Sequence, residues 1–316
     1  MTGPDAEPAA PDEAIPHCYR HPEVETRIRC TRCERPICPA CMIPAAVGFQ
    51  CPDDVKSAHA GARQVRTPYG GSVAAGFPVT VALMAINVAV YVVMAGQAHN
   101  QDVTGSSLFG RFADSPYQID VQHQYYRLVT AAFTHLNLLH IAFNMYALFA
   151  VGPVLERIFG RTRFLALYLI AAVGGNVAVF VDNSSGAGAS TAIFGMFAAY
   201  FIVARRANVD TSQILITIGL NLAITFTLSG ISKAGHVGGL IVGAIAAAIL
   251  VYAPRGPRQS PIQAAGLVAV AGLLAVLTVT HHPHVRIERI ACAYFGDGSP
   301  SPTNPIGCPP TAPGGG

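Results

Sequence analysis

Charge is scarce in this sequence: 12% of its 316 residues are Asp, Glu, Lys or Arg, against 52% hydrophobic. So little charge excludes an ordinary soluble globule and indicates a polytopic membrane protein. The formal net charge of +3 is too small to argue for nucleic acid, and no run of Lys or Arg alternates with aromatics as a nucleic-acid surface requires. Met1 to Pro16 lacks a basic stretch followed by an apolar one, so no cleaved signal is expected and the N-terminus is expected to stay in the cytosol. Cysteine is missing from the whole middle of the chain: six lie between Cys18 and Cys51, and only Cys292 and Cys308 follow. In reducing cytosol closely spaced thiols bind metal more often than they form disulfides, whereas a distal pair in an exported tail can be oxidised.

What is abundant is apolar sequence in runs long enough, or nearly so, to cross about 30 Å of hydrocarbon. Seven runs stand out: Phe77 to Gly96, Leu138 to Glu156, Phe164 to Val181, Ser190 to Ala204, Gln213 to Leu228, His236 to Ala253 and Pro261 to Thr280. The fourth and fifth are short for a full span, which fits helices that start below the surface around a wet cavity. Basic residues accumulate before the first run (Lys56, Arg63, Arg66) and in loops 2-3 (Arg157, Arg161, Arg163), 4-5 (Arg205, Arg206) and 6-7 (Arg255, Arg258). Cytoplasmic loops retain Lys and Arg, so the chain is expected to run N-in and C-out in the cell membrane. The first loop, of about forty residues, is long enough to be functional or disordered, and Tyr69 to Ala75 reads as a flexible Gly/Ser link.

Three polar groups lie at the starts of even-numbered runs, hence at one membrane depth: His140 with Asn144, Ser190, and His236. His140 and Asn144 stand one helical turn apart on one face. They act either as interhelical glue or as functional donors, since unpaired polar groups are costly in hydrocarbon. Ser190 follows Gly-Ala-Gly-Ala and opens its helix, where unpaired backbone N–H groups can stabilise an oxyanion. It is either an N-cap or a nucleophile whose proton a base removes, and His236 is the candidate base. Gly239 and Gly243 share the face of His236, so close helix packing there could bring His236 to Ser190. Carboxylates that could orient the histidine are scarce: between Leu128 and Ala253 there are only Glu156, Asp210 and the loop residue Asp182. This leaves a Ser-His dyad with His140 and Asn144 as oxyanion donors.

On these residues the chain resembles a rhomboid intramembrane serine protease. The matching pieces are Tyr126-Arg127, which resembles the family's Trp-Arg pair; His135 to Met145; Gly188 to Gly195; and His236 to Gly243. The resemblance implies Ser190 as nucleophile, His236 as base, His140, Asn144 and the Ser190 amide as the oxyanion hole, and Phe194 as an aromatic packed on the histidine. Tyr126 replaces Trp, both being amphipathic aromatics suited to an interface. Thr191 stands where many relatives have Gly, a change expected to be tolerated.

The head reads Cys18-x2-His21-x8-Cys30-x2-Cys33-x4-Cys38-x2-Cys41-x9-Cys51-x2-Asp54. Four ligand pairs suggest two zinc ions, without which so few large apolar groups could scarcely form a core. The pattern resembles a B-box-type zinc finger, whose interleaved pairing implies Cys18, His21, Cys38 and Cys41 on one ion and Cys30, Cys33, Cys51 and Asp54 on the other. Asp54 replaces an expected cysteine, and His59 is an alternative ligand. Four protein ligands per ion leave no open position, so the zinc is expected to be structural, with no cofactor for catalysis.

The expected architecture is an all-α polytopic membrane protein: a rhomboid-like six-helix bundle plus a seventh C-terminal transmembrane helix, preceded by a small zinc-binding domain. The divisions are 1–16 disordered tail, 17–60 zinc-binding domain, 61–76 linker, 77–253 protease core, 254–280 seventh helix and 281–316 external tail, largely disordered from its Pro- and Gly-rich stretch at Gly296. The expected function is intramembrane cleavage of transmembrane protein substrates in the lipid bilayer, with a cytosolic protein as partner of the zinc domain. The alternative is a non-catalytic rhomboid-like binder or adaptor of membrane helices. A transporter ranks third, and the sequence lacks the paired broken helices it would need.

Overall fold

The computed structural model describes residues 14–61, 66–72 and 76–282, with the backbone alone at residues 59 and 61. The chain divides into two compact units between Gln64 and Val65. The Cys292/Cys308 pair, Arg63 and the two tails beyond the ends of these ranges lie outside the described residues.

The first unit has little regular structure. Strands β1 (Ile43–Pro44) and β2 (Phe49–Gln50) pair antiparallel, with Ile43 opposite Gln50, and helix α1 (Pro52–Gly61) follows. Its buried centre is Cys18, Cys30, Ile37, Cys38, Cys41 and Cys51. One aliphatic side chain and five thiols bury too little apolar area to hold so short a segment without cross-linking.

In the second unit all seven apolar runs are helices: α2 (Pro78–Ala98), α6 (Leu138–Phe159), α7 (Arg161–Val181), α8 (Ser190–Arg206), α9 (Ser212–Thr227), α10 (Lys233–Tyr252) and α11 (Gln259–Thr280). Short helices α3 (Ser107–Phe112), α4 (Pro116–Asp120) and α5 (Arg127–Thr130) occupy the first long loop. Five of the seven long helices are long and apolar enough to span a membrane. The 17 residues of α8 rise only about 26 Å, and α9 is shorter by one residue, as their run lengths predict. Helices α7, α8 and α10 pack most closely on one another and form the centre, while α9 buries only Ile214 and Thr225. Glu156, buried near the end of α6, accepts hydrogen bonds from the Val79 and Thr80 amides and the Thr80 hydroxyl, and so caps the start of α2.

Two expectations are corrected. The Gly/Ser segment Tyr69 to Ala75, expected as a flexible link, lies over its described part, Tyr69 to Ser72, in a hydrogen-bonded turn in which the Thr67 amide donates to the Gly71 carbonyl at 2.7 Å; residues 73–75 lie outside the described residues. Gly71 lies against the Phe159 carbonyl where any Cβ would collide, Tyr69 packs its ring on Phe159, and Gln263 of α11 donates to the Tyr69 carbonyl. Glycine here serves close backbone approach rather than freedom. The second correction is at α10, which begins at Lys233 rather than His236: the Ser232 hydroxyl accepts from the Gly235 amide and starts the helix earlier.

The long first loop is ordered. Arg127 is buried, and its guanidinium donates to the carbonyls of Gly110 and Ala113 and to the Gln124 side chain, drawing α3 and α5 together. Asn176 of α7 donates to the Leu128 carbonyl, and Asp114 pairs through its backbone with Gly186, near the start of α8.

Candidate active site and metal clusters

Ser190 is the first residue of α8, and the segment before it is shaped by Gly188, whose φ of +122° suits glycine. The Gly188 amide donates to the Ala131 carbonyl at 2.9 Å. Its α-carbon faces α6: a Cβ there would lie 2.8 Å from the His140 ring and 3.7 Å from Asn144 Nδ2. The residues expected on α6 are thus beside the segment that leads into Ser190. Asn144 donates one amide hydrogen to the His140 carbonyl, which leaves its second available.

His236 lies in the first turn of α10. The helices α8 and α10 meet backbone to backbone, since a Cβ on Gly239 would strike the Thr191 carbonyl and one on Gly243 would strike the Gly195 α-carbon. That contact brings His236 Nε2 to 2.9 Å from Ser190 Oγ. Phe194 stacks on the imidazole at 4.3 Å between ring centres. Thr191 is buried, its Cβ accommodated by the absence of side chains on Gly175 and Gly235. Asp182 caps the end of α7 and is exposed, while His236 Nδ1 is taken by Thr225 Oγ1 at 2.7 Å. The functional residue missed in the sequence is therefore Thr225, on the helix of the fifth run. The available signal was Thr217, Asn221 and Thr225 at four-residue spacing, a polar stripe along an otherwise apolar helix.

His135 packs its ring edge-on to His140 at 5.2 Å and is fully buried. Burial, with His140 adding to it, pushes its imidazole down to about 3, so it is neutral.

In the head, ligand atoms of Cys18, His21, Cys38 and Cys41 lie within 4.8 Å of one another, and so do those of Cys30, Cys33, Cys51 and Asp54. His21 Nδ1 is 3.3 Å from the sulfurs of both Cys38 and Cys41, and the sulfurs of Cys33 and Cys51 are 3.7 Å apart. Tetrahedral zinc with sulfur at about 2.3 Å separates its ligands by roughly 3.5 to 3.8 Å, so both donor sets fit. Cys33, then Cys30 and Cys51, hold the Asp54 carboxyl down to about 2 through hydrogen bonds, so it is ionised as a ligand must be. Arg35 donates to Cys33 Sγ at 3.2 Å and lies over the Tyr19 ring, placing a positive charge beside these sulfurs. The side chain of the alternative ligand, His59, is outside the described residues.

Residues 122–253 match the rhomboid domain family. The chain is 38% identical over 157 residues to the rhomboid protease GluP of Bacillus subtilis, covering 48% of this chain and 31% of GluP. It is 29% identical over 211 residues to the rhomboid protease AarA of Providencia stuartii, covering 57% of this chain and 74% of that one. To rhomboid-like protease 1 of Toxoplasma gondii it is 33% identical over 135 residues, covering 39% and 46%. The chain carries a rhomboid domain. With its apolar helices, it is a multi-pass membrane protein. The rhomboid domain runs from the loop before α5 to the end of α10 and contains Ser190, His236, His140 and Asn144, whereas the cysteine-rich head, α2 and α11 lie outside it. The chain spans less than a third of GluP.

Proposed function

We propose that the protein is an intramembrane serine endopeptidase that cleaves transmembrane substrates through Ser190 and His236. The observation that carries this is the 2.9 Å approach of His236 Nε2 to Ser190 Oγ at the starts of two adjoining helices. Ser190 attacks the scissile carbonyl as His236 takes its proton, and the imidazolium then protonates the leaving amine. Three donors suit the oxyanion: the Ser190 amide at the start of α8, the second amide hydrogen of Asn144, and His140. The Leu136 amide points at His140 Nδ1 at 3.5 Å, which favours the proton on Nε2, the nitrogen nearer Gly188. Ser190 is half-buried rather than sealed, and substrate helices with small or helix-breaking residues suit the site, because a continuous helix hides its peptide bonds.

With the basic loops inside, cleavage falls near the outer end of the substrate helix. The head holds two structural zinc ions, one on Cys18, His21, Cys38 and Cys41 and one on Cys30, Cys33, Cys51 and Asp54, and serves as an interaction module for a cytosolic protein. In proteoliposomes, Ser190→Ala is expected to bring cleavage of a transmembrane substrate to background, and His236→Ala to abolish fluorophosphonate labelling of Ser190. Unchanged cleavage by the Ser190→Ala protein rejects the assignment.

A further inference from the structure

We infer that Thr225 of α9 is a positioning residue that holds His236 in the tautomer and orientation able to accept the Ser190 proton. The inference rests on the proposed Ser190–His236 chemistry and adds to it a group from a helix that supplies neither residue.

The hydrogen count decides the direction of each bond. A threonine hydroxyl has one proton. Thr225 Oγ1 lies 2.7 Å from the Asn221 carbonyl, which can only accept, so the hydroxyl proton is committed there. Toward His236 Nδ1, also at 2.7 Å, Thr225 can then only accept. Nδ1 therefore carries the imidazole hydrogen and Nε2 is left with its lone pair facing Ser190 Oγ at 2.9 Å. The chain runs Ser190 O–H to Nε2, then Nδ1–H to Thr225, then Thr225 O–H to the Asn221 carbonyl. It fills the place a carboxylate takes in serine hydrolases of the triad type, with a neutral oxygen.

Packing alone does not explain the position. Of the sixteen residues of α9 only Ile214 and Thr225 are buried, and Thr225 is 1% exposed. A threonine bonded back to its own helix needs no second partner. Here the second lone pair reaches the histidine, making Thr225 the polar tie between α9 and the site. The groups around His236 leave it no carboxylate partner among the described residues: Ser190 and Phe194 come from α8 and His140 from α6. On its own helix, Lys233 turns to the Phe226 ring.

The test compares wild type, Thr225→Val and Thr225→Ser in proteoliposomes, with Ser190→Ala as control. Valine keeps the shape and loses the oxygen. It is expected to lower kcat roughly tenfold, the scale of one neutral hydrogen bond, with KM little changed. Because the imidazolium loses an acceptor, the acid limb of the pH–kcat profile should move to lower pH. Serine should restore both rate and profile. A Thr225→Val protein with wild-type kcat and profile overturns the inference, as does a loss that tracks thermal stability and that serine does not rescue. If Ser190→Ala still cleaves, the Ser190–His236 reading has failed instead, which the control reports separately.

Discussion

Asp114 carries a fully buried carboxyl group with no hydrogen-bond partner for either oxygen among the described residues, while its backbone joins the first loop to Gly186 ahead of Ser190. Burial pushes its pKa well above the usual carboxylate value, and Arg127 only partly opposes the shift. The native state therefore keeps a proton that the unfolded chain releases near pH 4, and stability falls as pH rises from there through the raised native value. Asp114→Asn keeps the shape and cannot ionise. Its thermal midpoint in detergent should depend less on pH than the wild type's across that window and be higher at neutral pH; parallel pH curves for the two proteins contradict this. Neither the burial of Asp114 nor its pairing with Gly186 is legible in the sequence, because nothing local distinguishes it from an exposed loop acid. Ser190, His236, His140 and Asn144 are legible, since polar groups at the starts of apolar runs are rare and their depth follows from counting runs. Thr225 is legible only as part of the polar stripe with Thr217 and Asn221, because its contact with His236 is made across to another helix.

At the scale of elements, the glycines of α10 set how near His236 comes to Ser190. Gly239→Ala puts a methyl group into the Thr191 carbonyl and must push α10 from α8. Overpacking of this kind costs about 1–3 kcal/mol, and the accompanying shift should lower cleavage more than stability alone explains. Gly219→Ala on α9, where a Cβ meets nothing within 4 Å, is the matched control and should leave the thermal midpoint and the cleavage rate near wild type. The seven helices themselves are legible, because apolar length is a local property. Less so are the helix starts: Ser190 opens α8 as its Gly-Ala lead-in predicts, but the cap at Ser232 moves the start of α10 ahead of His236. At Tyr69 to Ser72 the structure differs from the expected flexible link for a definite reason. Glycine serves flexibility and close approach equally well, and only Phe159 and Gln263, distant in sequence, decide between them.

For the whole molecule, two units of different character share one chain: a head centred on thiols and a membrane unit centred on α7, α8 and α10. The head should bind about two zinc ions per chain and Asp54→Ala about one, measured by elemental analysis of the purified protein. Chelation should unfold the head, seen as loss of protease resistance before α2, while fluorophosphonate labelling of Ser190 persists. A head that keeps its resistance after full metal removal would contradict a structural role for zinc. The sequence by itself determined the membrane class, the seven helices and the metal-ligand spacings, all of which depend on composition and on neighbours within a few residues. Only the tertiary structure decided how near α10 lies to α8, which oxygen faces His236 Nδ1, and that the first loop and the 66–72 turn are held in place. Those depend on atoms that meet across tens to hundreds of residues, and no local pattern encodes such meetings.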